Sequence, residues 1–191
     1  MLTGLAIRAL SLTLALSASS TARLATDLDG HTLARLAPPE AHAIVLFFAA
    51  SDCPISNRYV PEIQRLAREF KSDAVHVWFV YPNPGDSAKV VRAHNAEYSI
   101  DTPTALDTSQ ALAQMAHATV TPEAAIFIPE GNNLHEVYRG RIDDRYIAFG
   151  RERPQATHHD LEDAIRAALA HRSIPQPGGP PVGCSIVTLH P

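Results

Sequence analysis

Cysteine is nearly absent: the 191 residues contain two, Cys53 and Cys184, 131 positions apart. No C-x-x-C pair exists, and none of the ten histidines forms an H-x-x-H pair, so the common local spacings for a chelating site are missing. There is no excess of basic charge either. The net charge is -4 with histidines neutral, which leaves no electrostatic footprint for nucleic acid and predicts no nucleic-acid partner. The apolar run "ALSLTLALSA" (9 to 18) is too short to span a bilayer. No internal repeat is visible. What is present is an ordinary globular composition, with 46% hydrophobic and 19% charged residues. At this length it supports one domain with a substantial core.

The apolar run follows Arg8 and leads into the small residues "SASSTA" (17 to 22). That order predicts a signal peptide over residues 1–22, removed on export. The expected location is periplasmic or secreted, with no stable membrane span after cleavage. In such a compartment two cysteines can pair.

Residues 23–172 read as an α/β domain. "TDLDGHTLARL" (26 to 36) places an Asp29-Gly30 turn between short strands. "AIVLFFAA" (43 to 50) is continuously apolar, as a strand buried on both faces requires. From Ser56 the apolar residues Tyr59, Ile63, Leu66, Ala67 and Phe70 fall three and four apart, one face of a helix. A strand over 74 to 82, a helix over 87 to 98, a short strand at 102 to 107 and a short helix at 109 to 117 follow. A hairpin flanks "PEGNN", and a last helix over 157 to 171 takes Thr157 as N-cap. Alternation followed by a hairpin predicts a mixed sheet with helices on both sides. Residues 173–191, rich in proline and glycine, read as an extended tail carrying Cys184.

Cys53 sits where the strand run ends and the helix begins. There its sulfur can face the unpaired N–H groups of the first turn, which favour a thiolate. Pro54 suits a first helical turn. Arg58 adds positive potential, whereas Asp52 works against ionisation. Taken alone, these residues fit either a reactive cysteine or an inert buried one.

"FFAASDCPISNRYVPEIQRL" resembles the active-site segment of thioredoxin-like proteins, in which a strand delivers C-P-x-C to a helix start. "VTPEAAIF" (120 to 127) resembles the cis-proline segment of the same fold, and the following hairpin resembles its end. The extra helix and strand between Cys53 and Pro122 match the longer redoxin, or AhpC-TSA-like, group. The resemblance covers about residues 26 to 171. It implies a thioredoxin-like three-layer sandwich with a mixed central sheet flanked by helices. It also implies a nucleophilic Cys53, and a substrate groove shaped by Pro54, Thr121 and Pro122. Thiols and disulfides of protein partners would be the substrates, with an external electron donor and no cofactor.

The chain departs from that pattern at Ser56, where the second cysteine would stand. A dithiol cycle within the motif is therefore excluded. Ala50 replaces the threonine of the peroxidatic pattern, and Asn57 replaces the second cysteine of the C-x-x-x-C copper-delivery pattern. The departures bring Cys184 forward. Eleven residues separate it from Ser173, and at roughly 3.3 Å each they reach about 36 Å, against a domain radius of gyration of roughly 15 Å. Gly183 would let the backbone approach closely. Cys184 is thus a resolving cysteine, a permanent partner worth ~3–5 kcal/mol, or a second soft ligand beside Cys53, unless the two never meet. Cys53, Cys184 and His117 are the candidate ligands if Cu(I) or zinc binds. The favoured expectation is an exported thiol-disulfide oxidoreductase with Cys53 and Cys184 as catalytic pair. A thiol peroxidase and a non-enzymatic metal chaperone are the alternatives.

Overall fold

The computed structural model describes residues 25–131 and 133–189. The expected signal peptide lies outside the described residues. In chain order the elements begin with β1 (Ala25–Thr26), β2 (Thr32–Leu33), β3 (Ala43–Phe48), α1 (Pro54–Glu69) and β4 (Val75–Tyr81). Next come α2 (Ala88–Glu97), β5 (Thr104–Leu106), α3 (Ala111–Met115), β6 (Val120–Thr121), β7 (Glu123–Glu130) and β8 (Asn133–Gly140). The remainder is β9 (Tyr146–Ala148), β10 (Arg151–Glu152), α4 (Asp160–Leu169) and β11 (Cys184–Ser185).

Seven strands form one sheet in the order β2-β1-β5-β4-β3-β7-β8. β3, β4 and β5 run parallel, and β7 and β8 close that side antiparallel. β3 lies in the interior of the sheet with all six residues buried, which is why its sequence carries no alternation. Its side chains serve two cores. Ala43, Val45 and Phe47 meet α1, α2 and α4 on one face. Ile44, Leu46 and Phe48 meet α3 on the other. Phe47 packs edge-on against Phe79, with ring centroids 5.1 Å apart. The architecture is the expected three-layer, thioredoxin-like one. No described helix is long and apolar enough to cross a membrane.

The clearest boundary difference from the sequence reading is at the last helix. α4 starts at Asp160, with His159 at the N-cap and no side-chain cap. Thr157 is bound elsewhere: its N–H and Oγ1 both donate to the Asp144 carboxylate, each at 2.6 Å. Those bonds, with His158 N–H, hold Asp144 well below the usual carboxylate range, against a desolvation that acts to raise it.

The tail is docked rather than loose. Ile174, Val182 and Cys184 pack on the core that holds α1 and α4, and Ile186 packs on the opposite one. The tail therefore wraps from one layer to the other. Glycines permit the approach. A Cβ on Gly178 would lie 2.6 Å from Arg141 Nη2, and the Gly178 N–H donates to Asp160 at 2.9 Å. At the far end the Val187 N–H donates to Asn83 Oδ1 at 2.9 Å.

Candidate active site

β3 ends at Phe48, and the chain turns through Ala49 to Asp52 before entering α1. Cys53 is the N-cap of that helix in extended conformation, with Pro54 in its first turn. Its carbonyl accepts from Asn57 N–H at 3.0 Å, and its own N–H donates to Ala50 O at 3.2 Å. The strand-to-helix junction thus places the sulfur at the N-terminus of a 16-residue helix. The side chain is completely buried, 0% exposed.

Two neighbours cover the sulfur. Cys53 Sγ lies 3.2 Å from the carbonyl oxygen of Thr121, and Cys184 Sγ lies 2.7 Å from Cys53 Sγ. The Thr121–Pro122 peptide is cis, as the family resemblance implies. The cis bond turns the chain between β6 and β7 and leaves the Thr121 carbonyl facing the sulfur. β11 pairs antiparallel with β6, Cys184 opposite Thr121 and Ser185 opposite Val120. This pairing delivers Cys184. Burial, then the contact with Cys53, pushes the Cys184 thiol up to about 12. Of the two sulfurs, Cys184 belongs to the partly exposed residue.

Ser56, the unexpected residue of the motif, is buried, and its Oγ accepts from Ala50 N–H at 3.4 Å. It ties the first turn of α1 back to the end of the strand run. Asn57 does more than its sequence position suggests. Its Nδ2 donates to Ser51 O at 3.1 Å, and its Oδ1 lies 2.8 Å from His94 Nε2. His94 Nδ1 in turn lies 2.9 Å from the Tyr81 hydroxyl. With Asn57 Oδ1 as acceptor, His94 carries its proton on Nε2 and accepts from Tyr81. Burial lowers its pKa, with the charges of Asp86 and Glu97 opposing. Asp86 accepts from both the N–H and the hydroxyl of Ser51. Burial raises this carboxyl, with the Ser51 bonds opposing. The turn before Cys53 is therefore fixed from beneath by α2 and the loop that precedes it.

A similar device holds the cis-proline loop. Glu123 is 1% exposed, and its Oε2 accepts from Thr119 N–H at 2.9 Å and Val120 N–H at 3.4 Å. Burial raises its pKa despite these bonds. Sequence reasoning read Asn57 only as a missing second cysteine and passed over Asp86, His94 and Glu123. Only Glu123 carried a signal, as an acid opening the otherwise apolar run "EAAIFI".

Pro54, Asn57 and Arg58 line an open cleft of about 630 Å³ beside the turn. Arg58 is exposed in that wall. Cys53, which is fully buried, does not line this cleft. Arg141 pairs with Asp160 at 2.9 Å. Among the described residues, the side-chain groups close enough to share a metal ion are Asp27, Asp29 and His31, and Glu62, His159 and Glu162. His117 is not grouped with the two cysteines. Its backbone is left-handed at the end of α3, and its carbonyl accepts from Arg139.

Comparison with known proteins follows the same outline. No match was found among curated proteins. A crystal structure of an uncharacterised conserved protein from Geobacillus kaustophilus superposes with a TM-score of 0.71 at 26% identity, covering 85% of this chain and 86% of that one. A hypothetical protein from Sinorhizobium meliloti gives 0.70 at 24% identity, covering 85% and 88%. A secreted disulfide oxidoreductase of Mycobacterium tuberculosis gives 0.51 at 16% identity, covering 81% and 99%, a likeness of fold. The AhpC/TSA family model matches residues 18–135, which include both the Cys53 turn and the cis-proline loop. That match spans more than half of the sequence, and with the architecture described above it establishes that this chain belongs to the AhpC/TSA, or redoxin, family of thioredoxin-like proteins.

Proposed function

We propose that the protein is an exported thiol-disulfide oxidoreductase in which Cys53 is the nucleophile and Cys184 the resolving cysteine. The observation that carries this reading is the 2.7 Å approach of the two sulfurs at the start of α1, against the cis-proline loop. A helix N-terminus favours the thiolate that attacks a disulfide. Cys53 attacks one sulfur of a partner disulfide. A Cys53–partner bond forms, and the other partner sulfur leaves as a thiolate that takes a proton from solvent. Cys184 then gives up its proton and attacks Cys53. The Cys53–Cys184 bond forms and the partner leaves reduced. The partner has gained two electrons, and an external dithiol donor returns them to the protein. Pro54, Thr121 and Pro122 border the reacting sulfur and shape the approach of the partner. The apolar, small-residue N-terminal segment supports a periplasmic or secreted location.

The test is a pair of variants. Cys53→Ala abolishes exchange. Cys184→Ser accumulates partners as mixed disulfides on Cys53, visible on non-reducing gels. Normal turnover by Cys184→Ser removes the resolving role. The thiol-peroxidase reading has less support, because Ala50 places no hydroxyl near the cysteine, and its N–H is taken by Ser56. Formation of sulfenic acid on Cys53 with hydrogen peroxide would favour it. Metal delivery through Cys53 and Cys184 would show as Cu(I) binding that Cys53→Ala removes.

A further inference from the structure

β3 pairs with β4 from Val75 to Val80, but β5 pairs with β4 only from Phe79 to Tyr81. The stretch from Val75 to Trp78 therefore presents a strand edge with no neighbouring strand. Alternation decides which groups lie on that edge. The Val80 carbonyl accepts from Ala49 N–H, on the β3 side, and the Phe79 N–H donates to Pro103 O, on the β5 side. Val77, two residues before Phe79, aims its N–H and C=O the same way. To continue the ladder, the Val77 carbonyl would need an N–H from residue 103, and that residue is proline. Among the described residues, neither main-chain group of Val77 has a hydrogen-bond partner. Both lie beside a cavity of about 420 Å³ that Val77 lines. On its α1 side stand Arg68 and Lys71, both exposed. Glu69, the acid between them, is taken by Arg65 and Arg166. Asp101 is the acid in the cavity wall. On the other side Trp78 is held by its indole N–H, which donates to Leu36 O at 2.6 Å, with His76 near it. Cys53 follows the C-terminal end of β3, which runs parallel to β4, so this groove lies at the opposite end of the sheet.

We propose that the free edge of β4 is a docking site for a short, extended, acidic segment of a partner protein. The segment adds to the sheet as a strand across Val77 and sets its carboxylates against Arg68 and Lys71. Its N–H donates to the Val77 carbonyl, and its C=O accepts from the Val77 N–H, so two main-chain groups that are costly to leave unpaired are satisfied. The edge from Val75 to Trp78 is about 13 Å long at the usual rise per residue, which limits the segment to roughly four paired residues. Side chains of an added strand alternate between its faces. Val77 faces the core that holds α1, so the occupant's side chains on that face meet Arg68 and Lys71. Those on the other face meet Trp78. The opposite charge of the rim selects an acidic segment over a basic one. A partner held here is tethered without occupying the reacting sulfurs, and its binding needs no chemistry at Cys53.

Trp78 is the only tryptophan of the chain, so its fluorescence reports on the groove directly. The probe is the peptide acetyl-Glu-Val-Glu-Val-Glu-amide, titrated into the full-length protein. Its counterpart with lysine in place of glutamate is the control. The acidic peptide should give a saturable change, and the lysine peptide should bind roughly tenfold more weakly or worse. Two further versions of the acidic peptide carry N-methyl groups, one on the valines and one on the glutamates. Only one of these N–H sets can face β4, so one version should lose binding and the other keep it. Arg68→Glu combined with Lys71→Glu changes exposed side chains only and should weaken the acidic peptide by roughly tenfold. Cys53→Ala should bind it as the wild type does. Equal binding of the acidic and lysine peptides overturns the charge selection, and with it the inference. Binding kept by both methylated versions overturns strand addition. Binding lost in Cys53→Ala would move the site to the other end of the sheet, and no saturable change with any peptide would remove it altogether.

Discussion

The two cysteines meet, but they arrive by opposite means. Cys53 is fixed by mass: β3, buried along its whole length, leads into it, and the turn before it is bonded from below by Asp86, Asn57 and His94. Cys184 is fixed by the absence of side chains. Gly178 and Gly183 let the tail lie against Arg141 and Thr121, and a two-residue bridge completes the docking. The first arrangement resists displacement because moving it would open the core. The second lies on the surface, held by a few backbone bonds, and belongs to the low-stability end of the structure. In the proposed exchange, the tail is the part built to move.

The largest effect is expected at the fixed partner. Cys53→Ala should reduce disulfide exchange to the uncatalysed level in an assay with a reducible protein substrate, while the tail remains docked by its glycines. A stability comparison comes next. Phe47→Ala should cost about 3–5 kcal/mol by denaturant unfolding, whereas Ile186→Ala, at a half-buried site in the tail, should cost roughly 1 kcal/mol. Similar costs would mean that the tail folds as part of the core. A third variant asks whether Cys184 is needed only because Ser56 is a serine. Ser56→Cys combined with Cys184→Ser should recover part of the exchange that Cys184→Ser alone loses, measured in the same assay. No recovery would show that the placement of Cys184, and not merely a second thiol, is needed.

The smallest effect is one of pH. Burial and then Cys53 push the Cys184 thiol from its ordinary value of 9.0 up to about 12. The docked tail holds its proton where an undocked tail gives it up, so docking is undiminished below pH 9.0 and weakens as pH rises towards about 12. Between those limits the thermal midpoint of the reduced wild type should fall relative to that of Cys184→Ser. A constant difference would place the thiol outside the docked interface.

The same contrast explains what the sequence could disclose. β3 announces itself, since an unbroken apolar run of this length between turns has few other uses. Cys53-Pro54 could be read because it is a local pattern at an element boundary, whereas Thr121-Pro122 was legible only through the family resemblance and is otherwise a loop before a strand. The docking of Cys184 was only reachable, because chain length fixes a radius and not a contact. Gly183 suggested a close approach, and the surface it approaches, the Thr121 carbonyl, is 62 residues earlier in the chain. Thr157 misled for a related reason. A threonine ahead of an apolar-periodic helix satisfies the local capping rule, but a carboxylate 13 residues away captured its hydroxyl first. Ser56 reads as a missing thiol in sequence and as a brace for Ala50 in space.

The position of the tail also has a consequence in time. A ribosome adds Cys53 131 residues before Cys184, and chains fold from their N-terminal side as they emerge. The Cys53 thiol therefore spends that interval without Cys184 against it, open to mispairing with any neighbouring thiol. The tail acts as a late-arriving safety catch on a reactive group that appears early.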